Sequence, residues 1–298
     1  MSKMQTPSPD HRALKAATQQ MGSLAWPTIL LGVSCIAGFV SAPLMVVQGL
    51  ISLWLAVIVI ALVTYASYTV MHDAVHGAIV GRHRSLLWLQ NLLGYSMGFI
   101  LGFPFSGHRY EHIAHHRHTN HAELDPDFQI GDMGRSPLHA VRSAFRLLSG
   151  QYGYYLKHQW HRASAREKSV MATETVLAWA ARIAFMAQGY WMEGVLMFVV
   201  GSLLGLIALI YLFAYIVHRP HTAVERYLDT STIVLRGPAN NLLTWCWLFQ
   251  NYHSIHHLFP KVPFYKYKAL FEEIEPIMRA KGAPIYELTG GGLKPIPA

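Results

Sequence analysis

The sequence predicts an all-α integral-membrane fold: about four transmembrane helices in two hairpins, with in-plane or re-entrant helices and a cytoplasmic histidine-rich cap. Three observations predict it. The chain is 52% hydrophobic and only 13% charged, roughly half the charged fraction of an ordinary soluble domain. Its apolar residues come in long runs: Trp26 to Met71 contains no Lys, Arg, Asp or Glu, and Thr173 to Val217 is mostly apolar, with Arg182 and Glu193 among its few charges. Most of the 18 histidines, finally, fall in clusters that follow apolar runs.

The elements follow in order. Residues 1–20 are polar and turn-rich and read as a disordered lead, with 21–298 forming a single membrane domain. No short apolar core is followed by a small-residue cleavage site, so the first apolar run reads as a retained span. The uncharged stretch suffices for two crossings of ~20 residues each. They are predicted near 24–44 and 50–71, with a break between Ala42-Pro43 and Gln48-Gly49. Leu86 to Phe105 is a third apolar run. The histidines at 72–76 and at 112–116 must share one membrane face to meet, so a single crossing between them is excluded. A pair of in-plane or re-entrant helices is predicted, with Gly94, Gly98, Gly102 and Pro104 allowing the bends. Residues 106–170 form a basic block that the positive-inside rule puts in the cytoplasm, whereas the outer turns at 43–49 and 189–194 carry no Lys or Arg. Arg142, Arg146, Lys157, Arg162 and Arg166 suit anionic headgroups or an acidic electron carrier. Two more spans, near 172–189 and 194–217, flank a Gly189–Gly194 turn. A helix near 239–250 and an amphipathic helix near 265–281 complete the chain. Both termini are expected in the cytoplasm.

The net charge of +8 follows from the same positive-inside bias, and no nucleic-acid motif accompanies it. Cys35 and Cys246 are the only cysteines, too few for an iron–sulfur cluster or a disulfide framework.

The chemistry lies in three boxes: His72-x-x-x-His76, His112-x-x-His115-His116 and His253-x-x-His256-His257. Positions i, i+3 and i+4 share one helix face, so each box can aim its imidazoles at one point. Eight imidazoles, with His218 a ninth by position, are too many for one ion and suit two. Ligand type alone admits iron, zinc, copper or nickel. A pair at the mouth of a lipid-embedded bundle, with access to apolar substrate and oxygen, argues for iron. Asp73, Glu111, Asp125, Asp127, His118 and Asn251 are candidates for hydrogen bonds that orient the rings. His108 and His121 lie near box two but outside its pattern, and His139, His158 and His161 sit in the basic block.

The three boxes together resemble the membrane fatty acid desaturase/hydroxylase superfamily over about residues 50–270. Asp125-Pro-Asp-Phe128, His218-Arg-Pro220 and the run from Gln250 through Leu258-Phe-Pro260 to Tyr265 are similar to the bacterial β-carotene hydroxylase and ketolase branch. The resemblance implies a non-haem di-iron centre held by His72, His76, His112, His115, His116, His253, His256 and His257, with His218 matching an extra histidine of the carotenoid branch. It implies O2 as oxidant and electrons from ferredoxin and its reductase or a comparable donor.

The expected activity is hydroxylation of a lipophilic substrate in the membrane, foremost a carotenoid ring. A fatty-acyl desaturase uses the same centre and is the alternative. A non-enzymatic metal-binding or transport protein is the third reading, weakened because the histidines cluster at the membrane surface and not at its midplane. No fused cytochrome or ferredoxin sequence accompanies the boxes, so a separate electron donor is expected in what reads as a bacterial inner membrane.

Overall fold

The computed structural model describes residues 8–297. Four helices are long and apolar enough to cross a membrane: α2 (Trp26–Val47), α3 (Leu53–His76), α7 (Ala165–Ala187) and α8 (Trp191–His218). They form the two expected hairpins, α2–α3 and α7–α8. Each begins or ends a few residues from the predicted bounds. The protein is an all-α membrane protein with a small amount of sheet.

Close helix approach is made by glycine, as expected where lipid removes the hydrophobic drive between helices. Gly201 and Gly205 of α8, four apart, face α3. A Cβ at Gly201 would stand 2.9 Å from the Val57 carbonyl, and one at Gly205 would collide with the Ala61 carbonyl. This contact fixes the height of α8 beside α3, and so the height of His218 beside His72. Helix α8 carries wider, π-helical turns at Leu196–Gly201 and Ile210–Tyr215.

The third apolar run is bent as predicted. Helix α4 (Leu87–Leu101) breaks at Gly102, whose φ of 81° needs glycine, and α5 (Phe105–His118) departs at 96° to it. Gly94 and Gly98 serve differently from expectation: they seat the Phe105 ring and backbone and make no bend. The orphan carbonyls at the end of α4 are met by the Arg182 side chain of α7, which takes Phe99 O at 2.9 Å and Ile100 O at 2.8 Å.

The disordered lead is corrected over most of its length. Pro9–Gln20 is helix α1, capped by Ser8, with Ala13, Ala16 and Ala17 buried. Alanine is the best helix former, and here its small side chains give a face that packs against α11 (Tyr267–Ala280) in one apolar cluster with Leu270, Ile274 and Met278. Asp10 fastens the contact, accepting from Tyr227 Oη at 2.8 Å and Lys281 Nζ at 3.0 Å. The rest of the lead, residues 1–7, lies outside the described residues.

Beyond α5 come the amphipathic α6 (Pro137–His158), then α9 (Asn240–Cys246) and α10 (His253–Leu258). The predicted helix at 239–250 stops early because Leu248 and Phe249 adopt left-handed backbone, φ 52° and 60°. That reversal lets box three start a helix of its own. A three-stranded sheet absent from the sequence reading joins β1 (Thr232–Val234), β2 (Ile285–Thr289) and β3 (Gly292–Pro295): Thr232 pairs with Ile285 in parallel, and Glu287 with Lys294 antiparallel.

Candidate metal centre

Nine histidines converge from four segments. His72 and His76 occupy the last turns of α3, which Gly77 ends in left-handed backbone. Box two lies on α5, His218 at the end of α8, and box three on α10. Their ring nitrogens sort into two groups. His72, His76, His112, His116 and His256 form one; His115, His218 and His257 form the other; within each, ligand atoms lie within 4.8 Å of one another. His253 stands beside the second group, its ring 4.9 Å from His218 and 4.8 Å from His257. The groups touch where His116 stacks on His257 at 4.3 Å. Helix phase explains the sorting: His112 and His116 are one turn apart on one face, while His115 is rotated toward α8.

The nitrogens in the middle face one another. Nε2 of His112 is 3.1 Å from Nε2 of His116, which is 2.8 Å from Nε2 of His256; His115 and His218 meet Nε2 to Nε2 at 3.0 Å. Both ring nitrogens of His72, Nε2 of His76 and Nε2 of His257 are buried with no protein partner. Orphaned nitrogens at that depth cost free energy unless something accepts their lone pairs, and a divalent metal in each group would do so.

Five of the nine rings have a partner at the outward nitrogen. Nδ1 of His115 lies 2.8 Å from Asp125 Oδ1 and 3.8 Å from Asp127 Oδ2. Nδ1 of His218 faces the Ala214 carbonyl at 2.5 Å, Nδ1 of His253 faces Gln250 Oε1 at 3.2 Å, and Nδ1 of His256 faces Tyr267 Oη at 3.0 Å. Nδ1 of His257 stands 3.4 Å from Thr119 Oγ1 and 3.7 Å from Asp229 Oδ2. An acceptor at Nδ1 holds that proton outward and leaves the Nε2 lone pair inward, which is how proteins orient imidazole toward a metal.

The electrostatics agree. Burial, then neighbouring imidazoles, pushes His112, His116, His253 and His256 well below the ordinary histidine value, so these rings are neutral. For His115 burial pulls downward but the Asp125 carboxylate overrides it, raising the ring to about 9. Burial works against the charge of Asp125 too; contact with His115 and the amides of Asp127 and Asn120 outweigh it and leave the carboxyl below its usual range. Burial raises Glu111 and Asp127.

Two of the candidate orienting residues are where the sequence put them: Asp125 against His115, and Asp127 at longer range. Four are not. Asp73, about 100° around α3 from His72, faces α2 and accepts from Thr28 Oγ1 at 2.8 Å. Glu111 faces away from the centre toward His108, at 3.4 Å, and Gln151. His118 sits two residues past His116 on the opposite helix face, with no imidazole partner among the described residues. Asn251 turns to β1, giving its Nδ2 to the Ile233 carbonyl at 2.9 Å. His108 is fully buried, stacked on His112 at 5.2 Å and bonded to Gln151 at 2.6 Å. The sequence reading missed Tyr267, Asp229, Thr119 and Gln250, which are polar residues with no local signature.

An apolar space opens beside the cluster. Tyr68 and Phe213, whose rings lie 5.9 and 4.9 Å from that of His72, line a cavity of about 40 Å³ with Phe103, Leu148 and Leu206. Those last three also line a second, larger cavity of about 250 Å³ that reaches Phe198 and Arg182.

Residues 48–289 match the family model described as fatty acid desaturase. The β-carotene ketolase of a Paracoccus species is 27% identical over 253 residues, covering 77% of this chain and 92% of the ketolase. The β-carotene ketolase of a second Paracoccus strain is 28% identical over 218 residues, covering 71% and 77%. A Bacillus subtilis fatty acid desaturase is 23% identical over 263 residues, covering 78% and 70%. The family match runs from the turn after α2 to the end of β2 and takes in all three histidine boxes, so this chain belongs to the fatty acid desaturase family of membrane oxidoreductases.

Proposed function

We propose that the protein is a non-haem di-iron oxygenase that oxidises a ring carbon of a carotenoid within the membrane. The observation that carries this reading is the pair of buried histidine groups, their ring nitrogens turned toward one another, at the mouth of an apolar space inside the helix bundle. His72, His76, His112, His116 and His256 would hold one iron; His115, His218 and His257, with His253 adjacent, would hold the other. Bound iron supplies the activation of O2 needed to oxidise an unactivated C–H bond.

The chain's own residues do the rest. Tyr68, Phe213 and Leu209 exclude water and hold an apolar segment beside His72. Asp125, Tyr267, Gln250 and the Ala214 carbonyl keep the imidazoles from rotating. One oxygenation converts C–H to C–OH, with the second oxygen atom leaving as water after two electrons and two protons arrive. A second oxygenation at the same carbon gives a geminal diol that loses water to a ketone, and the ketolase names of the relatives favour that end product. Electrons come from a separate donor such as ferredoxin with its reductase. The basic segment from Arg142 to Lys168 supports a cytoplasmic box-bearing face, with both termini on the same side, in what we read as a bacterial inner membrane.

The test is a pigment profile of a bacterium making β-carotene, with and without this gene. New carotenoids bearing ring hydroxyl or keto groups are expected. Unchanged pigment with newly unsaturated acyl chains would instead establish the fatty-acyl desaturase, which the Bacillus relative supports.

A further inference from the structure

The membrane-spanning α7 carries a buried cation that the metal centre does not use. Arg182 is 5% exposed and has no carboxylate partner: the arginine ion pairs among the described residues belong to Arg135, Arg236 and Arg279. Four aromatic rings, of Phe39, Phe99, Trp179 and Phe198, surround its guanidinium at 5.3–5.9 Å. An ionisable group at such depth is expensive and is a functional site by default.

A donor count shows what is left over. Guanidinium has five N–H groups. Nη2 gives two to the carbonyls of Phe99 and Ile100, and Nη1 gives one to that of Ala178. The Nε–H and one Nη1–H have no acceptor among the described residues, and Arg182 lines the larger apolar cavity. That cavity shares Phe103, Leu148 and Leu206 with the one beside His72. Along α8 the path runs from Phe198 to Phe213, ~22 Å at 1.5 Å per residue.

We infer that Arg182 is an end-group subsite: its spare donors bind an acceptor oxygen at the far end of an elongated lipophilic substrate whose near end lies at the histidine cluster. The inference rests on the oxygenase reading above, and it has a consequence for a substrate with two equivalent ends. After one end is oxidised and the molecule turns round, the new oxygen meets Arg182. The once-oxidised product therefore binds better than the starting hydrocarbon, and both ends are oxidised with little accumulation between.

The experiment measures equilibrium binding to the full chain in lipid nanodiscs, by quenching of tryptophan fluorescence, and so needs no turnover. Two ligand pairs are compared: β-carotene against its derivative with one oxygenated ring, and a long-chain fatty acid against its methyl ester as competitors of polyene binding. In the wild type the oxygenated polyene or the free acid is expected to bind ~10-fold or more tighter than its partner, the range of a hydrogen bond to a charged group. Which pair responds identifies the source of the oxygen. Arg182→Lys has three donors, all consumed by the three carbonyls, so it keeps the α4 cap. It is expected to abolish the preference. Equal affinities within both pairs for the wild type would overturn the inference, as would a preference that survives in Arg182→Lys. A preference seen in protein that oxidises no polyene would sustain the subsite and reject the carotenoid reaction.

Discussion

Asp125 holds His115 from the side opposite the metal-facing nitrogen, Oδ1 to Nδ1 at 2.8 Å, while the Asn120 amide gives to the other carboxylate oxygen at 2.7 Å. One carboxylate thus fixes both the ring and the turn that follows α5. Asp125→Asn leaves one acceptor oxygen for either the turn or the ring, sets an NH2 donor against the other, and removes the charge. Loss of such a partner lowers metal affinity ~10- to 100-fold. The variant is expected to bind the second iron that much more weakly and the first normally, checked by metal analysis across a free-iron titration.

His256 and His257 are sequence neighbours that serve different groups, with His256 beside His116 at 2.8 Å and His257 among His115 and His218. His256→Ala and His257→Ala are each expected to lose one iron per chain and to abolish turnover. Their Mössbauer spectra should differ, because the remaining ion sits in a different donor set. Retained activity with full iron in either variant contradicts the assignment.

Removing metal leaves orphaned imidazole nitrogens in the interior. Binding to the folded state alone adds stability as RT ln(1 + [L]/Kd), about 4 kcal/mol at a thousandfold excess over Kd. Chelator-treated protein is therefore expected to melt at lower temperature and to recover with Fe(II), saturating at two ions per chain. Zn(II) should restore the melting temperature without restoring turnover, since zinc has no redox chemistry.

Leu206 lines both apolar cavities. Leu206→Trp puts a large ring into the wall that the two cavities share. Iron content is expected to be unchanged and oxidation of a long polyene to fall at least ~10-fold, read by product analysis alongside metal analysis. A parallel loss of iron would place Leu206 in the support of the cluster instead.

Gly205 allows α8 to lie against the Ala61 carbonyl. Gly205→Ala forces the helices apart, with overpacking of this kind costing ~1–3 kcal/mol. The displacement moves His218 away from His115, so a lower melting temperature and partial loss of the second iron are expected together.

What was legible in the sequence follows from range. The four spans were visible because apolar runs of bilayer length have no other use. Eight of the nine histidines were visible because each box repeats a helix period, and His218 by its position after the last span. Asp125 was found because it is a carboxylate in the Asp125-Pro-Asp-Phe128 run just after box two. Tyr267 and Asp229 reach their histidines across element boundaries, and nothing around them announces it. Asp73 and Glu111 misled because adjacency in sequence is a rotation of about 100° on a helix. Helix α1 was hidden because its burying face is alanine, which hydropathy barely registers, and the sheet because its strands are only three to five residues long.

His72 stands in the first quarter of the chain and His257 near its end, and both are needed to close the cluster. During synthesis, α3 enters the membrane long before α10 exists, so its two histidines wait without their partners. A complete binding site arises only when nearly the whole polypeptide has left the ribosome and both hairpins are inserted. On the di-iron reading proposed above, iron is thus the last component acquired, and its uptake would report that assembly of every span has succeeded.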